Sequence, residues 1–209
     1  IGMEEPWRYR NKAQFPFGKD KDGRIITGFY AGRTHAIIEQ EDCLLGVEEN
    51  QPILDCIRAF MEEFHIAPYE EEIHKGLVRH VLIRKGFTTG ELMVCLVCTS
   101  GKLPQPAELV TLLREAVPGL ASVMVNINRA DTNVVLGEQT FVLYGSPSIT
   151  DTLCGLHFSL SPQSFYQVNR TQAERLYALA AEAAGLTGEE TLLDLYCGTG
   201  TITLCMAGS

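Results

Sequence analysis

The segment Thr191-Leu-Leu-Asp-Leu-Tyr-Cys-Gly-Thr-Gly-Thr-Ile-Thr203 has the residue pattern best suited to chemistry: an apolar run with an acid near its end, a glycine turn and a helix start. Glycines at such a turn let a ligand approach the main chain, and N–H groups at a helix start favour nucleotide-like ligands. A dinucleotide site asks for G-x-G-x-x-G, where the third glycine packs helix on strand. Position 203 is Thr. A glycine turn with no ligand would use the same residues.

The other reactive residues are less organised. Seven cysteines, Cys43, Cys56, Cys95, Cys98, Cys154, Cys197 and Cys205, are odd in number and scattered, unlike a small secreted disulfide framework. Cys95 and Cys98 have C-x-x-C spacing, but Glu91 to Cys98 reads as a strand, in which positions three apart face opposite ways. They are expected to be buried thiols. His35, His65, His74, His80 and His157 lack metal-ligand spacing and are expected on the surface or in the core.

The elements that must position the turn follow from pattern. Lys12 to Gly18 and Arg24 to Glu39 look like strands, separated by Asp20-Lys-Asp-Gly23 and broken at Ala31-Gly-Arg33. A helix is predicted from Asn50 to about His65, with Leu54, Ile57, Met61 and Phe64 on one face. Leu77 to Arg84 and Leu92 to Thr99 predict a hairpin, and Pro106 to Val117 a helix ended by Pro118-Gly119. Ser122 to Asn128, Phe141 to Tyr144 and Thr152 to Leu160 read as strands. A helix from Arg170 to Ala184 is expected to be capped by Asn169, with Gln172 as its capping-box partner, and closed by Gly185. The run from Thr191 should be a buried strand. No internal repeat or low-complexity linker is evident.

Composition narrows the class. At 45% hydrophobic residues the 209-residue chain can form one large domain or two small ones. No run of eighteen apolar residues exists, and the first residues show no signal-peptide pattern, so the expectation is a cytoplasmic protein with no membrane partner. A net charge of −9 argues against coating nucleic acid by bulk electrostatics. The charge is uneven: seven basic residues between Arg8 and Arg33 face two acids, whereas Glu39 to Glu72 carries eleven acids and Arg58. A locally basic face is compatible with that distribution.

Asp194 followed by x-x-C-G-T-G resembles the first motif of class I S-adenosylmethionine methyltransferases. With Phe165-Tyr-Gln-Val-Asn169 upstream, it resembles the RNA uracil-5-methyltransferase family, whose members carry F-x-Q-x-N and D-L-[FY]-C-G-x-G segments. Tyr9-Arg-Asn-Lys-Ala-Gln14 is similar to the opening of the central domain in members that modify large-subunit (23S) ribosomal RNA. The resemblance implies an α/β fold: an α+β central domain over residues 1–157 with a mixed antiparallel sheet, then the first βα unit of a Rossmann-like methyltransferase domain over residues 158–209. It implies S-adenosylmethionine contacts at Gln167, Asp194, Tyr196, Gly198, Gly200 and Thr201, although position 201 is often Asn in the family. RNA contacts are implied at Tyr9, Arg10, Lys12 and Gln14, in an aromatic and basic mixture suited to RNA.

The implied reaction is methyl transfer to C5 of a uridine in ribosomal RNA. It requires a thiolate that adds at C6 and a base that removes the C5 proton. In the family both lie well downstream of the glycine turn, so this chain is expected to be an inactive fragment with its catalytic residues beyond Ser209. Cys197 is expected to be a buried packing thiol, not the nucleophile. Cys43 sits where the family's fourth iron–sulfur ligand would fall, and one thiolate cannot hold a 4Fe–4S cluster, so none is expected here. The main alternative is a non-catalytic RNA-binding module with a vestigial turn; a nicotinamide enzyme is weakened by Thr203. A lone strand near residue 193 would leave an apolar edge, and the expectation is that a dimer could cover it.

Overall fold

The computed structural model describes residues 2–131 and 133–207. Its frame is a seven-stranded sheet in the order β3-β2-β1-β4-β5-β6-β7, formed by β1 (Lys12–Lys19), β2 (Ile25–Tyr30), β3 (Ile37–Glu39), β4 (Val78–Lys85), β5 (Leu92–Cys98), β6 (Leu120–Ile127) and β7 (Gln139–Gly145). Every pairing is antiparallel except β5 with β6, which are joined through helix α2 (Pro106–Ala116) as a parallel crossover. This is the mixed sheet expected of the α/β class. β5 is buried along its whole length and β4 along all but its last residue, because both faces of the sheet are covered.

Alternation along the central strands sorts side chains into two cores. Val81 and Ile83, Val94 and Leu96, and Val123 and Val125 face α1 (Asn50–Glu63) and α2. Leu82, Met93, Cys95 and Met124 face a second layer made by the hairpin β8–β9 (Ile149–Leu153, Leu156–Leu160) and helix α3 (Arg170–Ala184). α1 buries Ile53, Leu54, Ile57, Phe60 and Met61 in one stripe, and each such side chain stabilises the fold by about 1.5–3 kcal/mol. Cys98 lies in the first core and Cys95 in the second, as strand geometry required, and burial pushes both thiols up to about 12.

The predicted helices and most strands stand within two residues of their observed bounds. The single strand expected from Thr152 to Leu160 is instead a hairpin, because Cys154 and Gly155 both adopt positive φ, 50° and 75°, and turn the chain. Asn169 caps α3 by accepting from the Gln172 N–H at 3.1 Å, but the Gln172 side chain donates to the Gly2 carbonyl and does not close the capping box. Gly185 ends that helix at φ 59°.

The buried strand expected from Thr191 does not form. Residues 191–194 have no strand pairing, and Leu193 and Leu195 are 77% and 76% exposed. A parallel strand covered on both faces needs neighbours on each side, and among the described residues none lies beside this run. The short helix α4 (Thr201–Met206) follows the turn as expected. The expected domain boundary at 157/158 falls inside β9, and α3 shares a core with the sheet.

Candidate functional site

The glycine turn is built by its own residues. Gly198 and Gly200 both adopt positive φ, 55° and 74°, which only glycine takes without strain, and the Gly200 N–H closes the turn on the Cys197 carbonyl at 2.7 Å. Asp194 braces it from below: its carboxylate accepts from the Tyr196 N–H at 3.1 Å and from the Thr203 hydroxyl at 2.6 Å. The space a side chain would occupy at Gly198 is open, so a ligand can approach the backbone there. Tyr196 is 97% exposed and presents its ring beside the turn.

Thr201 points the other way. It is buried, and its hydroxyl is 2.9 Å from the Tyr177 hydroxyl on α3, which fastens α4 to α3. Cys197 departs from expectation: it is exposed, with its thiol toward the Gly198 carbonyl at 3.8 Å. A tight turn standing clear of the sheet offers no interior for that side chain.

The Phe165–Asn169 segment reaches the turn across 34 positions of sequence, where the Thr199 hydroxyl donates to the Phe165 carbonyl at 2.8 Å. The segment is held from the opposite side by the start of the chain. The Asn11 side chain donates to the Gln167 carbonyl at 2.9 Å and the Asn11 N–H to the Val168 carbonyl at 3.0 Å. Arg84, fully buried on β4, donates to the Ser164 carbonyl at 2.7 Å, and burial lowers its guanidinium to about 10. Tyr166 anchors the segment in the second core, where burial, then the Asp151 carboxylate, raises its hydroxyl well above the usual range. Gln167 itself is half-buried.

The four residues expected to touch RNA divide between two depressions. Arg10, Lys12 and Gln14 line a groove of about 310 Å³ together with Phe29, Cys43 and Val168. Burial, then the Arg84 charge, lowers the Lys12 ammonium below its ordinary value. Tyr9 lines a separate cavity of about 450 Å³ at the start of α3, with Trp7, Phe87 and Arg175. Trp7 and Phe87 were not singled out by pattern, since an exposed aromatic residue in a turn has no periodic signature.

Cys43 is half-buried, with its carbonyl accepting from Arg8 at 3.0 Å and from the Gly46 N–H at 2.9 Å. Asp42 beside it is held below the usual carboxylate range by its hydrogen bond to Arg8. Among the described residues no three of His, Cys, Asp and Glu come together as a metal site. The residues present offer a single thiolate at that place and do not by themselves fit a cluster. Among the described residues no helix is long and apolar enough to cross a membrane.

No protein-family model matches the chain. Over 207 residues, 99% of this chain, it is 42% identical to an uncharacterized RNA methyltransferase of Staphylococcus aureus and 45% identical to one of Halalkalibacterium halodurans. A similar protein of Clostridium tetani is 44% identical over the same length. The chain spans about half the length of these curated relatives, 46% in the first case. The crystal structure of Pyrococcus abyssi tRNA (uracil-54, C5)-methyltransferase in complex with S-adenosyl-L-homocysteine superposes with a TM-score of 0.79 at 25% identity, covering 98% of this chain and 48% of that one. The resemblance carried by the motifs is borne out: along its length the chain is similar to RNA methyltransferases, one of them a uracil-C5 enzyme.

Proposed function

We propose that this chain, kin to RNA methyltransferases over 99% of its length, is the RNA-docking domain and first cofactor-contacting unit of an enzyme that methylates C5 of a uridine in ribosomal RNA. The observation that carries the reading is the Thr199 to Phe165 hydrogen bond at 2.8 Å, which puts the glycine turn and the Gln167 segment side by side. S-adenosylmethionine, when bound, supplies an electrophilic methyl group. The open backbone at Gly198 would receive the amino-acid end of that cofactor, and Tyr196 would give its adenosine or sulfonium a flat wall.

Gln167 is assigned to orient the ligand, since its amide offers both a donor and an acceptor to a carboxylate, an ammonium or a uracil edge. Asp194 and Thr201 act through the turn: the carboxylate holds its N-terminal side and the Thr201 hydroxyl ties its C-terminal side to Tyr177. The target uridine must leave its stack to meet the methyl group, and Tyr9, Arg10, Lys12 and Gln14 would hold the flanking RNA. No residue of this chain is assigned as nucleophile or base. An iron–sulfur cluster would need ligands beyond Cys43, and no step is routed through one.

The test is methyl transfer by the natural protein that carries this chain. With labelled S-adenosylmethionine and unmodified RNA, label should appear as 5-methyluridine in ribosomal RNA. Label confined to transfer RNA would correct the substrate class, and no label at uracil C5 in either RNA would sink the reading. A second reading, a non-catalytic RNA-binding module, is favoured by the unformed strand beside the turn. Salt-dependent RNA binding with no cofactor binding by the natural protein would select it.

A further inference from the structure

The cavity at the start of α3 is a second feature of the surface, apart from the glycine turn. Its walls come from three places: Trp7 and Tyr9 from the segment before β1, Phe87 from the turn between β4 and β5, and Arg170 and Arg175 from the first turns of α3. At about 450 Å³ it falls within the roughly 300–1,000 Å³ typical of small-ligand pockets. Trp7 is 54% exposed and Phe87 38% exposed, so two large aromatic rings stand open to solvent at one depression. Single exposed rings are common on proteins; two or three converging on one concave site are the arrangement that takes a flat aromatic ligand.

The charged groups around those rings are held in place. Arg175 donates to the Gly2 carbonyl at 3.1 Å and to Glu4 at 2.8 Å, Arg170 donates to the Thr152 carbonyl and to Glu174, and Arg8 is held by Asp42. Three guanidinium groups line the cavity and each is paired with a carboxylate, Arg8 with Asp42, Arg170 with Glu174 and Arg175 with Glu4, so the lining offers donors on fixed arginines rather than an excess of positive charge. A flat ring carrying a hydrogen-bond-accepting group matches a lining of exposed rings and fixed guanidinium donors. The cavity also borders Asn169, the last residue of the segment that presents Gln167 two positions earlier.

We propose that this cavity is a stacking subsite for one nucleotide of single-stranded RNA flanking the target, its base against Trp7 and Phe87 and its phosphate toward Arg170 and Arg175. The inference rests on the reading of the chain as part of an RNA enzyme. Because every base has a stacking face, the subsite accepts any base and contributes affinity rather than sequence choice. It anchors the strand beside the Gln167 segment while a different nucleotide is presented for reaction.

Trp7 is the only tryptophan of the chain, so its fluorescence reports this cavity alone. Titrating the chain with a short oligouridylate, with fluorescence anisotropy of a labelled oligouridylate followed in parallel, should give saturable quenching of Trp7 that tracks binding. Oligoadenylate should quench as well. Phe87→Ala should weaken binding roughly ten-fold, as expected for the loss of one stacking partner, and Phe87→Tyr should restore most of it. Phe141→Ala, at a ring 52% exposed on the edge strand β7, should change nothing. Circular dichroism of each variant checks that the fold persists. Binding by anisotropy with unaltered Trp7 emission, or quenching indifferent to Phe87→Ala, would overturn the subsite while leaving the RNA reading intact. Absence of any RNA binding at low salt would overturn both.

Discussion

At the scale of single residues, the proposed site separates groups assigned to a ligand from groups that hold the turn. Gln167→Ala in the natural protein should reduce methyl transfer about 100-fold, the scale seen when one oriented hydrogen-bonding group is lost, as read by label incorporated into RNA. Cys197→Ser should leave transfer nearly unchanged in the same assay, because the thiol sits exposed on the turn with no assigned part in the chemistry. His80 sets a pH dependence of stability. It is 8% exposed on β4, and burial, then the Arg79 charge, lowers it to about 4, with Glu71 opposing. The folded state keeps this imidazole neutral while the unfolded chain protonates it below about 6.5. Stability from this group is therefore full above about pH 6.5 and is lost as pH falls toward 4, by up to about 3 kcal/mol. Denaturant unfolding at pH 7 and pH 4.5 measures the loss, and His80→Asn should flatten it.

At the scale of elements, most boundaries were legible because local chemistry sets them. Pro52 and Pro106 open helices, Asn169 caps α3, and the glycine at 185 stops it. Asn169→Ala should cost about 1 kcal/mol through the loss of its bond to the Gln172 N–H, visible as a lowered thermal midpoint. Two elements were misread, for different physical reasons. The β8–β9 hairpin turns on Cys154 and Gly155, and a lone glycine beside a cysteine held at φ 50° inside an apolar run does not by itself separate a tight turn from a continuous strand. The run from Thr191 has the composition of a buried strand, but a strand is defined by its partners, and composition does not supply them.

At the scale of the whole molecule, the exposed Leu193 and Leu195 mark a stretch whose structure depends on what packs against it. Backbone amides of residues 191–195 should exchange with solvent without protection in this chain, and should become strongly protected in the natural protein if the run joins a parallel sheet there. Hydrogen exchange read by mass spectrometry distinguishes the two. The same apolar stretch gives an expected concentration-dependent self-association of this chain, abolished by Leu193→Lys and measured by analytical ultracentrifugation.

Sequence by itself determined the α/β class, the alternation that sends Cys95 and Cys98 to opposite cores, the Asn169 cap and Gly185 stop of α3, and the motifs that resemble an RNA uracil methyltransferase. These are local or periodic properties, encoded by spacing within one element. Only the tertiary structure decided that Thr199 meets Phe165, that Thr201 turns inward to Tyr177, and that Trp7, Tyr9 and Phe87 share one cavity. Those juxtapositions bring together residues up to 80 positions apart by number, as Trp7 and Phe87 are, and arise where separate elements pack on one sheet. No spacing along the chain encodes that meeting.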